Sequence, residues 1–143
     1  MKPPKIEYEK IDTNDFTTGT IEKIQYEEKH EFKFQDKLTV APAVRFKFNL
    51  DGYEHPHYSR WMRFNYGVKS NLYGKYLVPL VENAMPEMDF EIEHLEGLRV
   101  KILWAERNGF FNVDTIRPAG GKVRYSSDIQ QPEESIIDDD ILA

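Results

Sequence analysis

The residues with the clearest chemical potential lie in the stretch HPHYSRWMRFNY, residues 55–66. It places aromatic rings and two arginines within one short segment. Aromatic faces stack exposed nucleobases and cations attract phosphates, so the combination is typical of surfaces that contact single-stranded nucleic acid. The alternative is a strand whose rings build a hydrophobic core. The direction in which Trp61 points decides between the two interpretations.

The segment before this stretch predicts the strand beside it. Residues 44–50, VRFKFNL, alternate strictly between apolar and polar side chains, which is the pattern of a strand with one buried face. Arg45 and Lys47 are on the polar face, which we expect to meet solvent. The Asp51-Gly52 pair after it predicts a hairpin turn. The residues predicted to face the core are Val44, Phe46, Phe48 and Leu50.

The third strand is predicted across residues 57–65. If Met62 and Phe64 face the core, Trp61 and Arg63 face outward, beside the cations of the preceding strand. A slip of one residue exchanges the two faces of a strand. In that alternative register Trp61 enters the core, and Arg60, Met62 and Phe64 face outward.

The other elements are read from the same kinds of pattern. Residues 16–34 predict a long strand, in which Gly19 and the irregular spacing of Ile21 and Ile24 indicate a bulge or bend. Residues 35–43 are predicted to be a loop. Across residues 69–86 the apolar residues recur with a helical period, which predicts a helix.

Three features define the second half of the chain. Ser70 or Asn71 can cap the predicted helix, and Pro79 should kink or divide it. The Asn108-Gly109 pair is a strong signal for a tight hairpin between two final strands. Alternation with its neighbours places Trp104 in the core.

Length and composition fit one domain with an unusual charge distribution. The chain has 143 residues, 40% of them hydrophobic, no cysteine, and a net charge of -6. We expect a reducing, cytoplasmic environment because cysteine is absent, and no membrane span because no apolar run is long enough. Residues 125–143 contain acidic but no basic side chains, and without them the chain is neutral. Residues 40–75 carry a local excess of positive charge.

The order of these elements, three strands, one helix and two strands, predicts an all-β domain with one helix. The best fit is a five-stranded OB-fold barrel, and the other candidate is a generic antiparallel sheet crossed by one helix. We predict an N-terminal arm at residues 1–14, the OB-fold domain at residues 15–121, and a disordered acidic tail at residues 122–143.

The body, over roughly residues 15–118, and the end of the chain, IIDDDILA, resemble OB-fold single-stranded DNA-binding proteins of bacterial and phage type. In that family the acidic tip recruits replication and repair proteins. The family's tip ordinarily ends in Pro-Phe, whereas this chain ends in Leu142-Ala143, which indicates a phage-encoded or otherwise divergent relative. The resemblance implies the partner-binding tail residues Asp138, Asp139, Asp140, Ile141 and Leu142.

The proposed outward face supplies the candidate nucleic-acid-binding residues. It is the surface that OB-folds use most often. Stacking reads no particular base, so we expect weak sequence preference, and RNA is a candidate ligand beside DNA. The candidates are Arg45, Lys47, Trp61 and Arg63 on the face itself, His57 and Tyr58 at its entry, Phe110 in the last loop and Arg60 at the rim of the barrel.

Two other classes of function stay open. The same domain could be a protein-interaction module, such as a phage or plasmid accessory factor, without a nucleic-acid role. A metal-dependent enzyme at Glu54, His55 and His57 is a weaker alternative, since no third partner at a recognisable spacing supports it. We predict no catalytic residue, no metal and no cofactor. Many single-OB proteins of the resembled kind assemble, which makes a homo-oligomer a further candidate, although the sequence identifies no interface.

Overall fold

Two long strands form the frame of the domain. The computed structural model describes residues 10–124; the first nine residues and residues 125–143, including most of the predicted tail and all of its partner-binding residues, lie outside the described part. Strand β1 covers Thr17–Phe34 and strand β2 covers Lys37–Leu50, and they pair antiparallel over almost their full length. The predicted alternation of β2 is confirmed, because Val44, Phe46 and Phe48 are buried.

The predicted irregularity of β1 is also confirmed. The register with β2 shifts between Ile21 and Lys23, which allows both Ile21 and Ile24 to point into the core. At Gly19, β1 pairs with both β2 and a later strand, β6, which covers Arg99–Arg107. A Cβ at this glycine would lie 2.8 Å from the carbonyl oxygen of Asn49. Only glycine permits so close an approach of the two strands.

The loop predicted at residues 35–43 is wrong. The chain turns at Gln35, which has a positive φ of 55°, and residues 37–43 continue β2. Pro42 lies opposite a second register shift, between Glu27 and His30. A proline is tolerated at such a bulge because no ladder hydrogen bond from its nitrogen is required there. The β1–β2 ribbon therefore extends well beyond the part that covers the core.

The helix is shorter than predicted. A π-helix covers Leu72–Leu77 and an α-helical turn follows at Val78–Leu80. The π-helix ends two residues before Pro79, whose missing N–H and bulky ring disfavour a regular α-helix there. The Ser70 hydroxyl accepts the backbone N–H of Tyr73 at 3.1 Å, so one of the two predicted capping residues binds the helix start.

The final hairpin is confirmed. Strand β6 covers Arg99–Arg107 and strand β7 covers Phe110–Pro118. Both turn residues, Asn108 and Gly109, have positive φ, as the tight turn requires. Trp104 is 2% exposed, so its predicted place in the core is confirmed.

The remaining elements are short. Strands β3, His57–Tyr58, and β4, Met62–Arg63, pair with β2. Strand β5, Val81–Glu82, pairs in parallel with β8, Val123–Arg124, beyond the predicted domain boundary at residue 121. A 3₁₀ helix covers Ile92–Leu95.

The domain is mostly β with one short helix, and its main sheet is antiparallel and open. The strand order is β3-β2-β1-β6-β7, with β4 also on β2. Among the described strands β7 pairs with β6 alone, so no ladder joins it to β3 or β4. The helix packs against β7 beside this gap. The described strands therefore do not form a closed five-stranded barrel.

The core includes residues from near both ends of the described range. Ile11, in the predicted N-terminal arm, is buried in the same cluster as the strand residues. Over residues 10–124, no helix has the length and apolarity needed to cross a membrane.

Candidate nucleic-acid interface

One extra residue between β3 and β4 determines which side chains face outward. Tyr58 pairs with Lys47 and Met62 pairs with Val44, so residues 59–61 stand opposite only Phe46 and Arg45. Such a bulge places two consecutive residues on the same side of a strand. Trp61 therefore lies against Arg45, away from the core, and Arg60 before it is exposed.

Ser59 holds this bulge. Its hydroxyl accepts the backbone N–H of Phe46 at 2.8 Å and donates to the carbonyl of Arg60 at 3.0 Å. Its own N–H donates to the Phe46 carbonyl at 2.9 Å. A side-chain oxygen replaces a ladder acceptor, which lets the strand change register without leaving a buried donor unpaired.

Arg45 contacts two rings of this surface. Its guanidinium carbon lies 4.2 Å from the ring centroid of Tyr58 and 4.9 Å from that of Trp61. Its Nε donates to Oε1 of Gln25 on β1 at 2.6 Å. These are cation–π contacts, and they orient the guanidinium plane along the two aromatic side chains. Trp61 itself is half-buried on this outer surface.

Strand β1 adds further rings. The imidazole of His30 stacks on Trp61 with centroids 5.0 Å apart, and Phe32 meets His30 edge-on at 4.7 Å. Arg63 covers Phe32, its guanidinium carbon 4.8 Å from the ring centroid. Rings and guanidinium groups therefore form one continuous surface, the aromatic–cationic face, which consists of Tyr58, Arg45, Trp61, His30, Phe32 and Arg63.

A pocket opens next to this face. It has a volume of about 360 Å³ and lies between residues 60–63, the helix start and β7. We call it the seam pocket because it adjoins the gap between β4 and β7. Its cationic lining residues are Arg60, Arg63, Lys69 and Lys75, and none of its lining residues is acidic. Tyr76 is also in the lining.

The cations of the seam pocket are not neutralised by described carboxylates. Within residues 10–124, no carboxylate forms a salt bridge with any of the four cations of the seam pocket. Burial raises the pKa of Tyr76 far above its usual value, so this phenol stays neutral and adds no negative charge. Lys75 donates from Nζ to the carbonyl of Val113 on β7 at 3.1 Å. The charge of the pocket lining is therefore positive, whereas on the aromatic–cationic face Nδ1 of His30 lies 2.5 Å from Oε1 of Glu27.

Some predicted binding residues lie elsewhere. Lys47 faces outward, but its Nζ lies 3.5 Å from Oε2 of Glu22, so it is partly neutralised. His57 pairs with Phe48 on the core side of the strand, and its ring approaches Trp104 at 6.2 Å, so it does not lie on the outward face; its binding role stays a prediction. The neighbouring residue, Tyr58, faces outward instead, where its ring contacts Arg45.

Of two further aromatic residues, Phe64 departs from its predicted place and Phe110 lies at the predicted turn. Phe64 was expected in the core but is 38% exposed, with its ring 5.8 Å from Tyr26, because the β4 ladder ends at Arg63. Phe110 is 72% exposed at the β6–β7 turn. It is not among the residues that line the seam pocket and has no described ring contact with the aromatic–cationic face.

Sequence reasoning missed the contribution of β1. His30 and Phe32 were assigned to the strand but not to the site, because the loop predicted at residues 35–43 hid how far the ribbon extends. The alternation of His30, Phe32 and Phe34 in HEFKF was the available signal. Lys69 and Lys75 were missed because only the tertiary fold brings the helix beside β4.

The weaker metal hypothesis gains no support from geometry. Nε2 of His55 lies 3.8 Å from Oε1 of Glu54, while His57 faces the core. No group of three potential ligands comes together within the described part of the chain.

Comparison with known proteins gives no match: no family model, no curated protein and no solved structure is similar to this chain. Function must therefore be argued from the surface itself.

Proposed function

We propose that the protein binds single-stranded DNA through the aromatic–cationic face, with little preference for sequence. The observation that carries the proposal is the position of Trp61. Its indole lies outside the core, stacked on His30 and in contact with Arg45. Exposed bases gain about 1–3 kcal/mol each by stacking on such rings, and the neighbouring cations attract the phosphates.

Arg45 has two roles in this proposal. In the free protein its guanidinium contacts the rings of Tyr58 and Trp61. A guanidinium and a nucleobase are both flat and both stack on aromatic rings. A base that stacks on either ring takes the place of Arg45, and the displaced guanidinium becomes available for the adjacent phosphate.

The OB-fold remains part of the proposal. Three features support an OB-type sheet in which β7 does not pair with β3 or β4. They are the strand path β3-β2-β1-β6-β7, the junction of β1 with β2 and β6 at Gly19, and the position of the helix before β6. Single-stranded DNA-binding OB-folds use the face of their second and third strands, which here corresponds to β2 with β3 and β4.

The acidic C-terminal segment completes the proposal. We propose that Asp138–Asp140 with Ile141 and Leu142 recruit replication or recombination partners, a role that rests on the family resemblance. We also propose that the protein acts in the cytoplasm of a phage-infected or bacterial cell. Removal of residues 138–143 should leave or raise the affinity for DNA and abolish the partner contact. A fall in DNA affinity would contradict this role.

A second candidate function is supported by a different surface. Tyr26, Leu38, Val40 and Phe64 are large, apolar and exposed, and exposed apolar groups that adjoin one another are typical of protein-binding sites. This favours either a homo-oligomer or a protein-interaction module without a nucleic-acid role. Light scattering of the purified protein, compared with a Val40→Asp variant, tests self-association: a homo-oligomer should dissociate in the variant.

The test of the main proposal is a titration of fluorescently labelled oligo-dT at several salt concentrations. Each phosphate contact on single-stranded DNA changes the log–log salt slope by about -0.7. With Arg45, Arg60 and Arg63 in contact we expect a slope of roughly -2 or steeper. Arg63→Gln should reduce it by about 0.7.

Arg117→Gln is the matched control. Arg117 also covers a ring, that of Phe16 at 4.0 Å, but near the opposite end of β1 from His30 and Phe32. It should leave the slope unchanged. If the chain lacking residues 125–143 shows no binding at low salt, the interaction-module hypothesis replaces this one.

A further inference from the structure

The seam pocket has features that the stacking face alone does not explain. Its cations come from three separate parts of the chain: Arg60 and Arg63 beside β4, Lys69 in the loop before the helix, and Lys75 in the helix. Like charges that share a pocket destabilise the folded state by mutual repulsion. No described carboxylate lines the pocket to offset it.

The pocket also lies where the sheet is open. Val113 of β7 forms one wall and Met62 of β4 another, and no described ladder joins these strands. The hydrogen bond from Lys75 Nζ to the Val113 carbonyl links the helix to β7. The side-chain amides of Asn65 and Asn71, which can donate to an anion, are in the same lining; the Ser70 hydroxyl beside them already donates to the carbonyl of Asn65 at 2.9 Å.

From this arrangement we propose that the seam pocket is a phosphate subsite. A phosphate bound there neutralises cations from β4, the loop and the helix at once, and thereby connects the two sides of the open sheet. In the cell this phosphate is a phosphodiester of a bound DNA strand, a part of the inference that rests on the proposed function. The affinity for phosphate itself does not, because it follows from the lining of the pocket.

The first experiment uses inorganic pyrophosphate as the probe. A ligand that binds only the folded protein raises its stability by RT ln(1 + [L]/Kd). The Tm of the full chain should therefore rise with pyrophosphate concentration, beyond the change in sodium chloride of equal ionic strength. In the double variant Arg60→Gln/Lys69→Gln the rise should fall by at least half.

Both substituted side chains are exposed, so the variant should fold. Arg117→Gln has the same type of charge loss outside the pocket and should respond like the unaltered protein. An equal Tm rise in chloride, or an undiminished rise in the double variant, would overturn the subsite and show that only general ionic effects operate.

A second arm separates this inference from the proposed function. The double variant should reduce the salt slope for oligo-dT by about 1.4, the value for two phosphate contacts. Tyr58→Ala, which alters the aromatic–cationic face outside the lining of the pocket, should weaken oligo-dT binding but keep the Tm response to pyrophosphate. If pyrophosphate stabilises the protein and oligo-dT does not bind, the subsite stands and its source is a free phosphate compound. If oligo-dT binds with an unchanged slope in the double variant, the subsite is wrong while the stacking face stands.

Discussion

Replacement of Trp61 by alanine separates a binding residue from a structural one. The indole has one stacked ring partner, His30, and one cation–π partner, Arg45. An aromatic pair contributes about 0.5–1.5 kcal/mol and an exposed cation–π contact about 0.5–1 kcal/mol. Trp61→Ala should therefore lower the free energy of unfolding by about 1–2.5 kcal/mol.

The effect of the same substitution on binding should be of similar size. Loss of one base–ring stack removes about 1–3 kcal/mol, which is roughly a 5- to 150-fold weaker Kd for oligo-dT. Fluorescence anisotropy of a labelled oligonucleotide measures the Kd, and urea unfolding measures stability. The control Phe16→Ala removes a comparable cation–π pair, that with Arg117, and should leave the Kd unchanged.

Trp104 supplies the contrast. It is fully enclosed in the core, and truncation of a buried tryptophan to alanine costs about 3–5 kcal/mol. If Trp61→Ala destabilises the protein as much as Trp104→Ala, or binds oligo-dT as tightly as the unaltered protein, the reasoning about the outward indole is wrong.

Three further substitutions test the elements that support this face, each by urea unfolding. Gly19→Ala should destabilise the protein by about 1–3 kcal/mol, because the new methyl group meets the backbone of Asn49; an unchanged midpoint would contradict the close strand junction. Ser59→Ala should lower the free energy of unfolding by about 1–3 kcal/mol, because the buried N–H of Phe46 loses its acceptor. It should also weaken oligo-dT binding, because the bulge before Trp61 is lost. Normal binding and stability would show that Ser59 does not stabilise the bulge. The hydrogen bond and ion pair with Arg99 lower the pKa of Asp51 below its ordinary 3.8, so their stabilisation is present at neutral pH and disappears as the pH falls through the lowered value. Asp51→Asn should therefore be less stable than the unaltered protein at pH 7, with a difference that shrinks below pH 3.8; a constant difference would refute the ion-pair contribution.

Local patterns were sufficient to predict much of the fold. The strict alternation of residues 44–50 correctly gave the buried face of β2, because each side of that strand meets a single environment. The Asn108-Gly109 turn and the bulge near Ile21 were predicted equally well, since glycine and spacing report backbone geometry directly. These features need no knowledge of distant neighbours.

The errors come from interactions that are distant in sequence. No local sequence pattern shows that the Ser59 hydroxyl accepts a backbone N–H of β2. The sequence therefore could not predict the register change between β3 and β4 that leaves both Arg60 and Trp61 outside the core. The continuation of β2 through Pro42 depends on a bulge in the opposite strand. Lys75 enters the site because the helix packs beside β7, a placement that helical periodicity alone does not specify.

Quenching of Trp61 fluorescence by oligo-dT is the most direct test of the central claim. The chain has two tryptophans, so the measurement uses the variant Trp104→Phe, in which Trp61 is the remaining emitter. The indole nitrogen of Trp104 has no hydrogen-bond partner among the described residues, so phenylalanine leaves no described acceptor unpaired. We predict saturable quenching that weakens as salt is raised. Unchanged emission at low salt, from a folded variant lacking residues 125–143, would contradict the claim that this ring stacks on bases.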